Sequence, residues 1–258
     1  MTVTNQQFVD EGLRLVDEGA ERGLRLRILG SLAIRLHCPQ NLPLLEAMER
    51  AVPADIDFAA GSRQARDVVR FLKEQGYVED ERITIATEGT RYCFEHPDTR
   101  LSLDVFVERL DFCHRIPFED RLDLDAPTLP TPDLLLGKLQ IVEINLKDIQ
   151  DAIVLLLEHA VVDHRNGPES IDASYVAELL RGDWGFHYTV MENLEKVRRF
   201  IPQFGAIGPE QAKLLNERID ALERVIEEAP KTRKWRMRAK VGPKVRWYQE
   251  VSEKEAGL

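Results

Sequence analysis

The chain has 258 residues, of which 43% are hydrophobic and 31% are charged. This balance is typical of a folded globular protein and excludes fibrous and fully disordered classes. The formal net charge of −10 means that the body of the protein repels nucleic acid unless cations screen its carboxylates. No apolar run approaches the ~20 residues of a membrane-spanning helix, and the polar start "MTVTNQQFVDEG" lacks a signal-peptide core. We therefore expect no membrane partner. The three cysteines have no CxxC spacing, which favours reduced thiols and hence a cytoplasmic protein.

The first half of the chain predicts helices alternating with strands. Helical periodicity marks residues 5–22 and 62–76, and strand-like runs occupy 24–29, 55–60, 81–87, 91–96 and 100–108. Between them, residues 38–54 contain three prolines around a short helical pattern. We interpret that segment as an insertion, or as a loop with one helix.

The second half is predicted to be helical. The segment 125–133 holds three prolines in nine residues and is typical of a linker. Helices are predicted after it over residues 132–160, 172–181, 187–202 and 209–228. The sequence therefore predicts an α+β fold, with an α/β domain over residues 1–125 and a helical domain over 126–258.

The stretch "LRILGSLAIRLHC", residues 26–38, predicts a strand, a turn at Gly30-Ser31 and a helix start. Backbone N–H groups point out of such a helix start and can bind a phosphate. The same pattern also occurs as a plain structural turn, and these few residues do not separate the two interpretations.

Three aspartates stand in predicted strands. Asp55 and Asp57 are two residues apart, so both side chains project from one side of a strand. Asp104 lies in the middle of a later strand that is otherwise apolar. A buried, ionised carboxylate costs several kcal/mol unless it is paired or binds a metal. Oxygen ligands in this number suit Mg²⁺.

Together these features resemble the motif of the DNA-polymerase-beta-like nucleotidyltransferase superfamily, with Gly30-Ser31, then Asp55 and Asp57, then Asp104. The resemblance covers residues 24–108. It implies a mixed sheet with flanking helices that binds a nucleoside triphosphate. In this resemblance the three aspartates are catalytic and hold Mg²⁺ or Mn²⁺, while Gly30 and Ser31 bind the nucleotide.

The second half is similar to the toxin-like nucleotidyltransferases of abortive-infection systems. The similarity rests on Lys138 and on Asp148 with Asp151, one helical turn apart. It implies that Lys138 and Asp148 bind the nucleotide, that the acceptor is RNA such as tRNA or a protein hydroxyl, and that an antitoxin protein is a partner. For Lys147 and Asp151, an ordinary amphipathic helix with exposed charges explains the pattern equally well.

Two alternatives to that activity stay open at this stage. Residues 32–54, which separate Ser31 from Asp55, are longer than the corresponding segment of the family. If that insert loops out, the site is intact. If it remodels the site, the protein is a catalytically inactive member of the same fold that binds nucleotide or RNA. The acidic body instead favours a small cationic acceptor, as in the antibiotic-modifying nucleotidyltransferases.

A basic segment ends the sequence. Residues 231–248 carry eight Lys or Arg and no acid, so that removing these charges from −10 leaves −18 on the rest. With Trp235, Trp247 and Tyr248 between the charges, the segment could bind an RNA backbone and stack on bases. It could equally fold back onto the acidic body with its aromatic rings buried.

The histidines predict no site. His159 and His164 are five residues apart, which does not place them on one helix face for zinc. His37, His96 and His114 are scattered along the chain, and no catalytic triad follows from them.

Overall fold

The computed structural model describes residues 5–50, 52–53, 55–164, 167 and 169–250. The architecture is mixed α+β, as the sequence predicts. Within these residues, no helix combines the length and the apolar character that crossing a lipid bilayer requires.

The described residues form eleven α-helices and nine β-strands. The helices are α1 (Asn5–Glu21), α2 (Gly30–His37), α3 (Leu42–Ala47), α4 (Ala65–Glu74), α5 (Glu81–Ala86), α6 (Thr131–Leu139), α7 (Leu146–Glu158), α8 (Ala173–Leu180), α9 (Trp184–Phe200), α10 (Pro209–Glu228) and α11 (Arg233–Ala239). The strands are β1 (Leu26–Leu29), β2 (Asp55–Ala60), β3 (Val78–Glu79), β4 (Arg91–Glu95), β5 (Ser102–Val107), β6 (Arg109–Asp111), β7 (Arg115–Pro117), β8 (Ala160–Val162) and β9 (Ser170–Asp172).

Contacts divide the chain into two compact units. The first contains the described residues of 1–36, 52–110 and 116–130, and the second those of 37–51, 111–115 and 131–258. Residues 37–51 thus belong to the second unit, although the sequence assigned them to the first half. The reason is that α3 packs on α7, where the side chain of Gln150 donates a hydrogen bond to the carbonyl of Met48 over 2.6 Å.

The first unit is built on a five-stranded sheet in the order β1-β2-β5-β4-β3. β2 and β5 are parallel, whereas β1–β2, β5–β4 and β4–β3 pair antiparallel. Helix α1 packs on β1 and β2. On β2 and β5 the large side chains Ile56, Phe58, Leu103 and Val105 are buried on one face, each at most 1% exposed. Because side chains alternate along a strand, the residues between them, including all three aspartates, face the other side of the sheet.

The second unit is a helical assembly around α7, whose residues from Asp148 to Leu157 are all buried. α10 packs on α7, α8 and α9, and α6 packs on α7 and α9. The parallel pair β8–β9 adjoins α10 and α6. The apolar stripe of α10 is buried through Leu215, Ile219, Leu222 and Ile226.

The predicted strand over residues 81–87 is wrong, because this segment forms α5. The side chain of Asp80 accepts a hydrogen bond from the backbone N–H of Arg82 and so caps the helix. The alternation of apolar and polar residues over this segment predicts a strand whose apolar side chains are buried on one face. Ile85, one of these apolar residues, is instead 76% exposed. The sheet edge is supplied instead by the two residues of β3.

The single helix predicted over residues 132–160 is also wrong, because it is divided into α6 and α7. The fully buried Asn193 donates hydrogen bonds from its amide nitrogen to the carbonyls of Leu139 and Ile141 at 2.8 and 2.7 Å. These bonds satisfy carbonyls where α6 ends. Asn145 then caps α7 by accepting a hydrogen bond from the backbone N–H of Asp148.

Leu222→Ala is expected to destabilise the protein by about 2–5 kcal/mol, because it removes a fully buried side chain and leaves a cavity. Leu214→Ala is the matched control, since the same substitution on the same helix affects a half-buried residue. Its loss in the free energy of unfolding, measured in urea, should be clearly smaller. Equal losses would contradict this assignment of the α10 core.

Candidate functional site

The parallel pairing of β2 with β5 brings two of the predicted acids side by side. Asp57 is the register partner of Asp104, and Asp55 is the partner of Ser102. All of these residues share the sheet face opposite to the apolar core. The structure therefore places the three aspartates on one surface, with Asp57 and Asp104 as immediate neighbours across the two strands.

The Gly30-Ser31 corner lies against the same acids. β1 pairs with β2 so that Leu29, the residue before the corner, is opposite Asp57. A Cβ atom at Gly30 would lie 2.2 Å from Oδ2 of Asp57, which is far inside van der Waals contact. Gly30 also has a φ of 68°, a left-handed conformation that favours glycine. Only glycine lets this helix start approach the carboxylate so closely.

Arg91 is a partner of the acids that the sequence did not reveal. It lies on β4 next to β5, and its Nε donates a hydrogen bond to Oδ2 of Asp104 over 3.1 Å, alongside a shorter bond from Nη2. Its guanidinium also stacks over the ring of Phe106, 5.1 Å from the centroid. Burial by itself would lower the pKa of Arg91, but the charges of Asp104 and Asp57 outweigh burial and raise it. Arg91 is thus a permanent cation beside two aspartates.

Cys93 completes this sheet face. It is the register partner of Asp104 on the β4 side. Burial, followed by the charge of Asp104, raises the pKa of the Cys93 thiol to about 12. The thiol is therefore protonated at neutral pH. The sequence places Arg91 and Cys93 on one face of a predicted strand, because they are two residues apart. It does not predict that this strand pairs with the strand that carries Asp104.

The donor set fits a hard cation. Asp55, Asp57 and Asp104 offer only carboxylate oxygens, which are the ligands that Mg²⁺ prefers, and Gly30 leaves to Asp57 the space that a side chain would fill. One oxygen from each of the three aspartates does not lie within 4.8 Å of both others. Among the described residues, only His37, His159 and Glu169 converge so closely as a set of three. Like charges repel, so a cation is what would draw such carboxylates together.

Lys138 and Asp148 lie in the second unit, in a buried cluster of ion pairs. Nζ of Lys138 is 2.9 Å from Oδ1 of Asp148 and 3.1 Å from Oδ2 of Asp151. Arg50 donates two hydrogen bonds of 3.0 Å to the two oxygens of Asp151. Two cations thus face two carboxylates, which is how buried charges are tolerated. Burial by itself would lower the pKa of Lys138, but the two aspartates outweigh burial and raise it.

The sequence analysis considered four charged residues here, Lys138, Lys147, Asp148 and Asp151, and only Lys147 lies outside this cluster. Asp151 is only 2% exposed and bound on both sides, whereas Lys147 is exposed. Oδ2 of Asp148 is buried and accepts no hydrogen bond from any residue in the described part of the chain. Arg50, the second cation of the cluster, carries no sequence signal because it lies in the segment interpreted as a loop. The nucleotide-binding roles of Lys138 and Asp148 stay predictions.

The basic segment packs within the second unit. Residues Arg233–Ala239 form α11, which contacts α9. The guanidinium of Arg238 lies 4.6 Å from the ring centroid of Trp184, and Nε1 of Trp247 donates a hydrogen bond to Oγ1 of Thr189. The segment therefore folds back with its aromatic rings in contacts, one of the two arrangements that the sequence allows.

Comparison with known proteins adds no assignment. No family model matches the chain, and no curated protein matches it significantly. The interpretation of the site therefore depends on the residues and on their geometry.

Gly30→Ala is expected to destabilise the first unit more than Gly23→Ala does. Both glycines have left-handed φ values, 68° and 75°, so each substitution has a backbone cost of about 1–2 kcal/mol. Only Gly30 adds a clash, because nothing lies within 4 Å of a Cβ atom at Gly23. The difference between the two variants in urea unfolding isolates the contact with Asp57. Equal destabilisation would contradict the close approach.

Proposed function

We propose that this protein is a magnesium-dependent nucleotidyltransferase, which transfers a nucleoside monophosphate from a nucleoside triphosphate to an acceptor hydroxyl. The observation that carries the proposal is the contact of the Gly30 helix start with Asp57, together with the register pairing of Asp57 with Asp104. A phosphate-binding helix start and a metal-binding set of carboxylates are the two parts that this chemistry requires.

The arrangement of the strands supports the finer fold proposal, a nucleotidyltransferase-type sheet. The Gly-Ser corner follows β1, the Asp-x-Asp pair lies on β2 and the third acid on β5. These three strands are consecutive in the sheet. Residues far apart in the sequence thereby occupy one sheet face, as the resemblance to the superfamily implies.

The residues of the first unit would divide the reaction among them. Asp55, Asp57 and Asp104 would hold Mg²⁺ or Mn²⁺. When bound, such an ion neutralises triphosphate charge and favours in-line displacement at phosphorus. Gly30 permits close backbone approach, and Ser31 offers an N–H and a hydroxyl to the outer phosphates.

Asp104 would also act on the acceptor. It would take the proton of the acceptor hydroxyl, whose oxygen bonds to the α-phosphorus while pyrophosphate leaves. Both hydrogen bonds from Arg91 end on Oδ2 of Asp104. That geometry leaves Oδ1 outside the ion pair, as the oxygen able to accept a proton.

RNA, with tRNA as the leading candidate, is the acceptor that we propose first. The support is a pocket of about 640 Å³ in the second unit that stays open although the basic segment folds back, lined by Trp184, Trp235 and Trp247 together with Arg233 and Arg238. Aromatic rings and cations are the groups that bind single-stranded nucleic acid. A protein hydroxyl and a small cationic antibiotic are the other acceptors to be tested. Lys138 and Asp148 as nucleotide-binding residues, and an antitoxin partner, belong to the same proposal.

Asp55→Asn and Asp57→Asn are each expected to reduce nucleotide transfer at least about 100-fold, because loss of a metal-binding carboxylate removes several kcal/mol of transition-state stabilisation. The measurement is transfer of label from each α-³²P-labelled nucleoside triphosphate, with Mg²⁺, to total tRNA, to the protein itself and to aminoglycosides. Asp98→Asn is the matched control, because Asp98 is exposed in a turn of the same unit, and it should transfer at the wild-type rate. Undiminished transfer by the Asp57 variant would refute the assignment.

One observation favours a second function, a nucleotide-binding member of the same fold that does not turn over. Arg91 already holds Asp104, and it adds a fixed positive charge where a metal would bind. Such a protein would bind a nucleoside triphosphate with Mg²⁺ and transfer nothing to any acceptor. The labelling experiment separates the two functions, since binding by equilibrium dialysis without transfer identifies the second.

Arg91→Gln is expected to tighten binding of Mn²⁺, used as a spectroscopic substitute for Mg²⁺, by about tenfold. Removal of a cation next to the carboxylates relieves its repulsion of the metal, and ~1.4 kcal/mol corresponds to a factor of ten. Arg66→Gln is the control, because this arginine is exposed on α4. Mn²⁺ titration followed by electron paramagnetic resonance measures the affinity. Unchanged or weaker binding by the Arg91 variant would show that Arg91 does not oppose the metal.

A further inference from the structure

Two buried histidines and one carboxylate come together in the second unit. His37 ends α2, His159 follows α7, and Glu169 precedes β9. One ligand atom from each of the three lies within 4.8 Å of the others, and no other group of His, Cys, Asp or Glu in the described residues does this. The three residues are far apart in the sequence, so their convergence is a product of the fold.

The distances within this cluster match those around a shared ion. Nδ1 of His37 is 3.2 Å from Oε2 of Glu169, and Nδ1 of His159 is 3.3 Å from the same oxygen. Metal–ligand bonds of ~2.0–2.2 Å at tetrahedral angles separate two ligand atoms by roughly 3.3 Å. These two nitrogen–oxygen distances match those between ligands of one transition metal ion. Nδ1 of His159 also lies 3.1 Å from the backbone carbonyl oxygen of Glu169, to which it donates a hydrogen bond that a bound ion would replace.

The cluster is buried on its histidine side and open to solvent on its carboxylate side. The side chains of His37 and His159 are 5% and 3% exposed, whereas that of Glu169 is 61% exposed. The two rings are held edge to face, with centroids 5.6 Å apart. Buried, ordered imidazoles lose little freedom when they bind an ion. The solvent side, next to Glu169, can supply a water molecule as a fourth ligand.

A cysteine lies beside the cluster. Sγ of Cys38 is 3.9 Å from Nε2 of His159.

We propose that His37, His159 and Glu169 form a binding site for a divalent transition metal ion of the zinc class. Two imidazole nitrogens and one carboxylate form a donor set that suits Zn²⁺ and not Mg²⁺, which prefers oxygen. This site is separate in chemistry from the carboxylates of the first unit. A bound ion would tie His37 to the residues that precede β8 and β9, and so stabilise the second unit.

The test is zinc binding by the full-length chain after treatment with a chelator. Titration of Zn²⁺ against a chromophoric chelator gives the affinity, and Co²⁺ gives a visible absorption band that reports four-coordinate geometry. Glu169→Gln is expected to weaken Zn²⁺ binding about 100-fold or more, because it replaces a direct ligand, whereas even outer-sphere partners contribute 10–100-fold. Since Glu169 is exposed, this variant should fold as the wild type does.

His164→Gln is the matched control, because this exposed histidine lies in the same connection. It should bind one Zn²⁺ with wild-type affinity, and Zn²⁺ should raise the thermal midpoint of both proteins but not of Glu169→Gln. His159→Gln provides a second loss of a ligand with the same expected result. Equal Zn²⁺ affinity of the wild type and Glu169→Gln, or no binding by the wild type, would overturn the proposal.

Discussion

The pairing of β2 with β5 in a single register is the constraint on which the candidate active site depends. It sets Asp57 beside Asp104 and leaves Ile56, Phe58, Leu103 and Val105 on the other face. A shift by one residue would exchange these faces and bury the carboxylates in the core, which their desolvation cost forbids. The same hydrophobic burial that specifies the register therefore also positions the acids.

The two groups of aspartates described above are paired with cations in different ways. On the sheet of the first unit, Arg91 binds Asp104, which shares its face with Asp55 and Asp57. In the second unit, Lys138 and Arg50 face Asp148 and Asp151, so that the charges balance without an added ion. The first group offers the oxygen ligands that Mg²⁺ prefers, and the balance of charges in the second explains how four charged side chains are tolerated in a buried place.

The two proposed metal sites differ in chemistry, and this makes them separable by experiment. The aspartates offer only hard oxygen ligands, on the face of a sheet. The cluster of His37, His159 and Glu169 offers nitrogen ligands held in a buried helical unit. Zn²⁺ and Mg²⁺ should therefore report on different sites, and a change in one is expected to leave the other intact.

The sequence by itself determined the features that depend on neighbours along the chain. The two-residue period places Asp55 and Asp57 on one face, and the position of Gly30 before an apolar helical pattern gives the corner. The 3.6-residue period over 209–228 gives α10 in full. Each of these follows from local geometry, which a short window of residues encodes.

Only the tertiary structure decided which elements meet. Arg91 reaches Asp104 because β4 pairs with β5, and Arg50 reaches Asp151 because α3 packs on α7. His37, His159 and Glu169 also meet through the packing of elements that are distant in the sequence, although the spacing of the histidines predicted no site. Residues 81–87 became a helix because no buried sheet face was available to the alternating pattern. Such contacts arise from long-range packing, which the periodicity of a single segment does not contain.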